Sequence, residues 1–189
     1  VSDVYQSTGA TPGASGAGSR EHISHQYEAY RAHIGGLGGL GFAKRVITNN
    51  TTHIRTELTY SHDYASFKQG SLERMRTING SGQVLSETQN TWTHIPVGGY
   101  ASGIAGKRHR LDLSKTTVAK YDWNGAALSY EQSDYEYNDW GQPERMESRV
   151  YTSRYSGSPR RTKITTNRWL NHRADRWVIG LLTRSDVSV

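Results

Sequence analysis

The stretch "YEYNDWGQPERMESRV" (residues 135–150) decides the fold class of this chain. Two tyrosines come before a short polar segment that contains Asn138 and Gly141, and a run ending in Val150 follows it. Asparagine bonds to its own nearby backbone and glycine accepts positive φ, so the polar segment predicts a tight turn. Pro143 fits the first position of the next strand, where a missing N–H costs little. The stretch therefore predicts an antiparallel hairpin.

The same unit occurs elsewhere in the chain. Residues 121–125 (YDWNG) and 137–141 (YNDWG) each place tyrosine four residues before glycine, and residues 78–82 (INGSG) keep this spacing with isoleucine instead. Each unit predicts strand, Asx turn, glycine and strand, and such hairpins bury their faces only by packing on neighbours. The repeat is defined by Tyr121, Asp122, Gly125, Tyr135, Tyr137, Asn138 and Gly141.

Further hairpins extend this pattern over most of the chain. Residues 42–60 alternate in polarity around a turn at 49–52, and residues 72–92 flank a turn at 79–82. From 111 to 170, turn clusters separate segments of about ten residues, which is the spacing of an antiparallel meander. Leu72, Met75 and Ile78 also have helical spacing, so strand and helix both stay open for that arm. We predict an all-β fold of antiparallel hairpins.

Two segments depart from regular strands. Residues 34–41 (IGGLGGLG) hold five glycines, but neither Lys-Ser/Thr nor a helix follows, as a phosphate-binding loop requires. Glycines interleaved with leucine instead favour close backbone packing or a strand bend. Within 127–137, the aromatic positions change phase between Tyr130 and Tyr135, which predicts a bulge near Ser133.

Composition sets the class of protein. The chain has 12 Tyr and 5 Trp, too many aromatic residues for a disordered chain, and no cysteine for a disulfide framework or a thiolate zinc site. It has no apolar run long enough for a membrane span, and its start lacks a secretion signal. Residues 7–19 are small and polar. We assign 1–21 as a flexible Gly/Ser/Ala-rich segment and 22–189 as a single β domain, a fragment of a larger protein.

The net charge of +6 permits acidic partners. Lys and Arg nevertheless alternate with Glu and Asp along most of the chain, which is typical of a solvated surface. The charge pattern therefore does not favour a nucleic-acid partner.

The repeats, and the order of the segments around them, resemble the YD-repeat (Rhs) superfamily, whose unit is roughly Tyr-x-Tyr-Asp-x-x-Gly. Residues 135–150 match this unit with Asn138 in place of aspartate. The series "YEAYRAHIGGLGGLGFAKRVIT", "ELTYSHDY", "GQVLSETQNTW", the repeats and "NRWLNHRADRWVIGLLTRSDVSV" is similar to SpvB-like proteins and to B components of insecticidal toxin complexes. The likeness covers about residues 20–189, although the family usually has polar residues between the glycines here.

The resemblance implies hairpins of YD-repeat type in a stacked sheet or partial shell. It further implies a non-catalytic scaffold that encloses a separate toxic domain. The implied partners are the remainder of a larger chain or toxin-complex subunits, and the implied location is outside the cell or on the bacterial surface, in a virulence setting.

No catalytic or metal-binding constellation emerges from the residues. The eight histidines lack cysteine partners and zinc-ligand spacing, so we predict no metal and no cofactor. Two acids could suggest glycoside hydrolysis. The acids of the repeat region alternate with Arg145 and Arg149, however, which favours cross-strand ion pairs. These acids are Asp134, Glu136, Asp139, Glu144 and Glu147.

Aromatic side chains leave a binding function open. Rings near basic residues could stack on sugars, and four are the best candidates for this role: Trp123, Trp140, Tyr151 and Trp169. Repeat tyrosines at turn-fixed positions favour packing between hairpins instead. We therefore expect a scaffold without enzymatic activity, with a carbohydrate-binding or adhesive module as the alternative and a polysaccharide-active enzyme as a third reading.

Overall fold

A computed structural model describes residues 2–7, 20–33, 38–97, 108–152, 154–155, 157–172 and 178–189. Within these ranges the chain forms eleven strands and no helix. The strands are β1 (Ser2–Ser7), β2 (Arg20–His33), β3 (Gly38–Asn49), β4 (Ile54–Tyr60), β5 (Leu72–Ile78), β6 (Val84–Val97), β7 (Arg108–Tyr121), β8 (Ala127–Tyr137), β9 (Pro143–Tyr151), β10 (Arg161–His172) and β11 (Val178–Ser188).

All eleven strands belong to one sheet, and their order in the sheet is their order in the chain. Each strand pairs antiparallel with the strand before it, as expected where short turns join neighbours. The predicted all-β antiparallel meander is therefore confirmed. The segment Leu72–Ile78, for which the sequence allowed either a strand or a helix, is strand β5. Its side chains alternate, with Arg74 and Arg76 on one face and Met75 on the other.

Two local predictions concern these strands. Strand β1 lies inside residues 1–21, the segment predicted to be flexible, and residues 8–19 of that segment lie outside the described ranges. The predicted bulge in β8 needs correction. Ser133 carries no bulge, since β8 keeps one register from Tyr130 to Glu136 and shifts only before Tyr137. The change of phase has another cause: Tyr130 and Tyr135 occupy opposite faces of a sheet that accepts aromatic residues on both.

The two faces of the sheet differ in chemistry. Cross-strand register places Glu57, Arg76 and Glu87 in one row, and this side is called the charged face. Thr77, Thr88, Ser133 and Ser148 lie on the opposite side, called the hydroxyl face. Ser133 and Ser148 share a hydrogen bond of 2.9 Å between their hydroxyl oxygens.

The sheet buries little. The chain exposes 12402 Å², whereas a compact monomer of 21.1 kDa exposes about 9,000 Å². Among the described residues no large side chain is fully buried, and the core cluster consists of Ala119, Tyr130 and Tyr151. One sheet in a single layer leaves both faces accessible over most of their area.

The glycines of β3 allow close backbone packing. A Cβ on Gly39 would lie 2.6 Å from the Tyr30 hydroxyl, and Gly41 has a φ of 81°. Glycine therefore lets the Tyr30 ring reach the neighbouring backbone, and residues 38–41 belong to strand β3. Residues 34–37 lie outside the described ranges.

Candidate functional site

The three predicted turns share their backbone hydrogen bonds, and two of them also share their side-chain bonds. In the turns starting at Asn79 and Asn138, the side-chain carbonyl accepts backbone N–H groups two and four residues later, and the side-chain amide donates to a glutamine. The Asp122 turn has the same backbone bonds, from Asp122 N to Ala126 O and from Gly125 N to Asp122 O. The glycines have φ of 81° to 85° in all three turns, a conformation that strains other residues.

The repeat tyrosines Tyr121 and Tyr137 have different surroundings. Tyr121 and Tyr130 meet edge to face at 6.3 Å on the charged face, and Tyr155 packs on Tyr130 at 5.5 Å and on Tyr151 at 6.3 Å. Tyr137 instead donates its hydroxyl to the Leu113 carbonyl, 3.0 Å away. Burial, followed by the charge of Asp112, raises the pKa of Tyr137, so its hydroxyl remains a donor.

The four candidate stacking residues do not form one surface. Trp123 and Trp140 are exposed, but they lie in the turns at opposite ends of β8, about 35 Å apart along an eleven-residue strand. Tyr151 is only 8% exposed. Trp169 is half-buried and donates its indole N–H to the Pro143 carbonyl at 2.9 Å. The structure therefore does not bring these four side chains together, because successive turns lie at opposite ends of the strands.

The acids of the repeat region are held by arginines on the charged face. Arg145 bonds Glu136 at 3.1 Å and Glu147 at 2.6 Å, and Arg149 bonds Asp134 at 2.7 Å and Glu147 at 2.6 Å. The Arg145 hydrogen bond is the main cause that lowers the pKa of Glu147. A carboxylate held ionised in this way is a poor general acid. The predicted cross-strand ion pairs are confirmed for Glu136 and Asp134, whereas Glu147 bonds arginines of its own strand.

A shallow pocket of about 260 Å³ opens on the charged face. It is lined by Gln83, Val84, Glu87, Tyr121 and Gly125. Burial disfavours the Glu87 charge, but the Gln89 amide and the Arg74 guanidinium outweigh it and lower the pKa of Glu87. The pocket is smaller than most small-molecule sites, although its carboxylate, amide and phenol groups suit a polyhydroxylated ligand.

Two histidines, on the neighbouring strands β6 and β7, are in contact. His94 and His109 share a hydrogen bond of 2.7 Å between ring nitrogens, and Phe67 stacks on His109 at 3.7 Å. In the described part of the chain, no three His, Asp or Glu side chains lie where they could share a metal ion. Nor does any of it form a helix suited to crossing a membrane.

A second repeat is visible in the structure and was missed in the sequence. Asn90 and Trp92 of β6 donate to the Leu72 carbonyl at 3.1 and 2.9 Å. Asn167 and Trp169 of β10 make the same two bonds to the Pro143 carbonyl, at 3.1 and 2.9 Å. We call each arrangement an Asn-x-Trp clamp. The signal was present as the tripeptides "NTW" and "NRW", but the carbonyls that they bind lie 18 to 26 residues away.

Comparisons with known proteins identify the fold. The sequence matches no known family profile and no curated protein. The structure is similar to a crystal structure of TcdB2-TccC3 without its hypervariable C-terminal region, with a TM-score of 0.69 and 11% identity over 89% of this chain. A Photorhabdus luminescens Tc holotoxin pore matches with a TM-score of 0.68, 11% identity and the same 89% coverage.

These neighbours are toxin-complex chains, and this chain has the fold of one part of them. It spans only 12% of the length of those chains. An identity this low shows a shared fold and leaves activity and partners to be argued from the chain itself.

Proposed function

We propose that the chain is a non-catalytic structural segment of an enclosing β shell, in a bacterial toxin-complex-like protein of Rhs, or YD-repeat, type. The single open sheet carries this proposal: the described strands pair only with their chain neighbours, and both faces stay accessible. A sheet in a single layer has the form expected of one segment of a shell wall. The match to toxin-complex chains over 89% of the chain supports the same function.

The partners proposed here are the remainder of a larger polypeptide or other toxin-complex subunits. The neighbours are much longer chains, which supports this assignment. We place the protein outside the cell or on its surface. The relation to SpvB-like proteins rests on the order of sequence segments described above.

Protease protection tests the enclosing function. In an assembled shell that contains this chain, the enclosed polypeptide should resist a protease added outside. Tyr130→Ala removes the centre of the tyrosine cluster and should make the enclosed polypeptide cleavable. Leu128→Ala is the control, because this side chain on the same strand is 66% exposed. Rapid cleavage of the enclosed polypeptide in the unmodified shell would contradict the proposal.

A carbohydrate-binding module is the second candidate, supported by the pocket beside Glu87 and Tyr121. Thermal unfolding with a saccharide panel separates the two functions. A scaffold shows no change in stability, whereas a binding module at 100 times Kd gains about 2.7 kcal/mol. A polysaccharide-active enzyme is the third candidate, and arginines bound to Asp134, Glu136 and Glu147 argue against it.

A further inference from the structure

The two Asn-x-Trp clamps belong to a larger internal repeat. In each clamp, a hydroxyl of the following strand donates to the carbonyl of the middle residue: Ser114 to Thr91 and Thr183 to Arg168, both at 3.0 Å. Register shifts also fall at the same place, between Thr91 and Trp92 and between Arg168 and Trp169. Strands β6 and β7 are therefore repeated as strands β10 and β11.

This repeat aligns strand β7 with strand β11 residue by residue. Trp92 pairs with Leu113, and Trp169 pairs with Leu182. Residues 113–116 (LSKT) of β7 thus correspond to residues 182–185 (LTRS) of β11. Apolar, hydroxyl, basic and hydroxyl residues follow one another in both.

The two corresponding strands differ in what covers them. Strand β7 has β8 on its far side, Leu113 is half-buried, and its carbonyl accepts the Tyr137 hydroxyl. Strand β11 has no neighbour on its far side among the described strands. Leu182 is 46% exposed and Val187 is 57% exposed. An exposed apolar edge with unpaired backbone groups is a template for another strand.

The charges on β11 do not prevent such pairing. Arg184 and Asp186 form an ion pair of 2.7 Å on the strand itself. In the register of β7 and β8, Lys115 lies opposite Asp134. Arg184 corresponds to Lys115, so a strand of the same kind would bring an aspartate opposite Arg184.

We propose that the outer edge of β11 binds an antiparallel strand of the β8 type, whose tyrosine donates its hydroxyl to the Leu182 carbonyl as Tyr137 does to Leu113. The partner is a strand ending in Tyr-x-Tyr followed by the Asx turn and glycine of the repeat. This inference deepens the proposed function, on which it rests, because it names the neighbour that a shell segment accepts at this edge.

A peptide copy of the chain's own strand is the probe. A labelled peptide of residues 127–142 (ALSYEQSDYEYNDWGQ) is titrated into the 189-residue chain, with binding followed by fluorescence anisotropy and hydrogen exchange. Saturable binding should protect the amides of β11. The peptide with Tyr137→Phe should bind about 2- to 10-fold more weakly, the value of one hydrogen bond.

Two N-methylated peptides provide the matched control. Only alternate N–H groups of a strand face its neighbour, so one peptide should fail to bind and the other should bind normally. The methyl groups are placed either at Glu131, Ser133 and Tyr135 or at Gln132, Asp134 and Glu136.

Three outcomes would overturn the inference: no binding, equal binding of both methylated peptides, or protection of β1 or β7 in place of β11. If the peptide fails while the assembled shell still protects its contents from protease, only this edge assignment is wrong. Loss of that protection in the unmodified shell would instead reject the proposed function.

Discussion

At the scale of single residues, turn glycines differ in how much space their surroundings leave for a side chain. Gly82 and Gly141 occupy the same place in matching turns, with φ of 85° and 81°. A Cβ on Gly82 meets nothing within 4 Å, whereas a Cβ on Gly141 lies 2.8 Å from Arg110 Cδ. Arg110 cannot move freely, because it bonds the Asp112 carboxylate at 2.7 Å and the Asp139 carbonyl at 2.9 Å.

We therefore expect Gly82→Ala to lower the free energy of unfolding by about 1–2 kcal/mol, the strain of the left-handed conformation. Gly141→Ala should cost at least about 1 kcal/mol more, since displacing Arg110 breaks charged hydrogen bonds. Urea unfolding of both variants measures the difference. Equal losses would show that the Arg110 contacts contribute nothing to the turn.

The Glu147 carboxylate predicts a pH dependence. Its pKa is lowered by Arg145 and Arg149 from the ordinary value of 4.5. The stabilisation is therefore complete above about pH 4.5 and is lost as pH falls through the lowered pKa. Glu147→Gln should destabilise the chain at pH 7, and this loss of stability should shrink as the pH falls below about 4.5. Glu144→Gln is the control, because Glu144 is exposed on the same strand; a Glu147 effect independent of pH would contradict the ion-pair account.

At the scale of elements, each Asn-x-Trp clamp fixes two strands across a bulge. Trp92→Phe and Trp169→Phe remove an indole donor and keep an aromatic ring, so each should cost about 1–2 kcal/mol of stability. Trp123→Phe, at a side chain 57% exposed, should change stability by less than about 0.5 kcal/mol. Thermal or urea unfolding of the three variants compares them. No loss at Trp92 or Trp169 would mean that the clamps are not structural.

Local chemistry explains which elements were predictable. Asn138 and Gly141 predict their turn from sequence alone, because the hydrogen bonds of the turn span only a few residues. Alternating Arg and Glu on β9 likewise predicted the ion pairs. The clamps depend on the exact register between neighbouring strands, and the groups that they join are 18 to 26 residues apart, so no short window of sequence contains them. The separation of Trp123 from Trp140 follows from the pairing too, because the two turns of a strand lie at its opposite ends.

At the scale of the whole molecule, the single layer is the defining property. The Tyr130 cluster is a small core, and ion pairs join neighbouring strands elsewhere on the charged face. A shell wall requires each strand to pair with its neighbours and does not require a large hydrophobic core. The repetition of β6 and β7 as β10 and β11 agrees with growth of the sheet by addition of similar units.

In the proposed shell, the charged face and the hydroxyl face of this sheet lie on opposite sides of the shell wall. Lys163 and Thr166 of β10 are both exposed, with Lys163 on the hydroxyl face and Thr166 on the charged face. Because the chain has no cysteine, Lys163→Cys and Thr166→Cys each provide a single label site. A bulky maleimide should label both in the isolated chain but only one of them in an assembled shell. Equal labelling of both in the assembled shell would contradict the account.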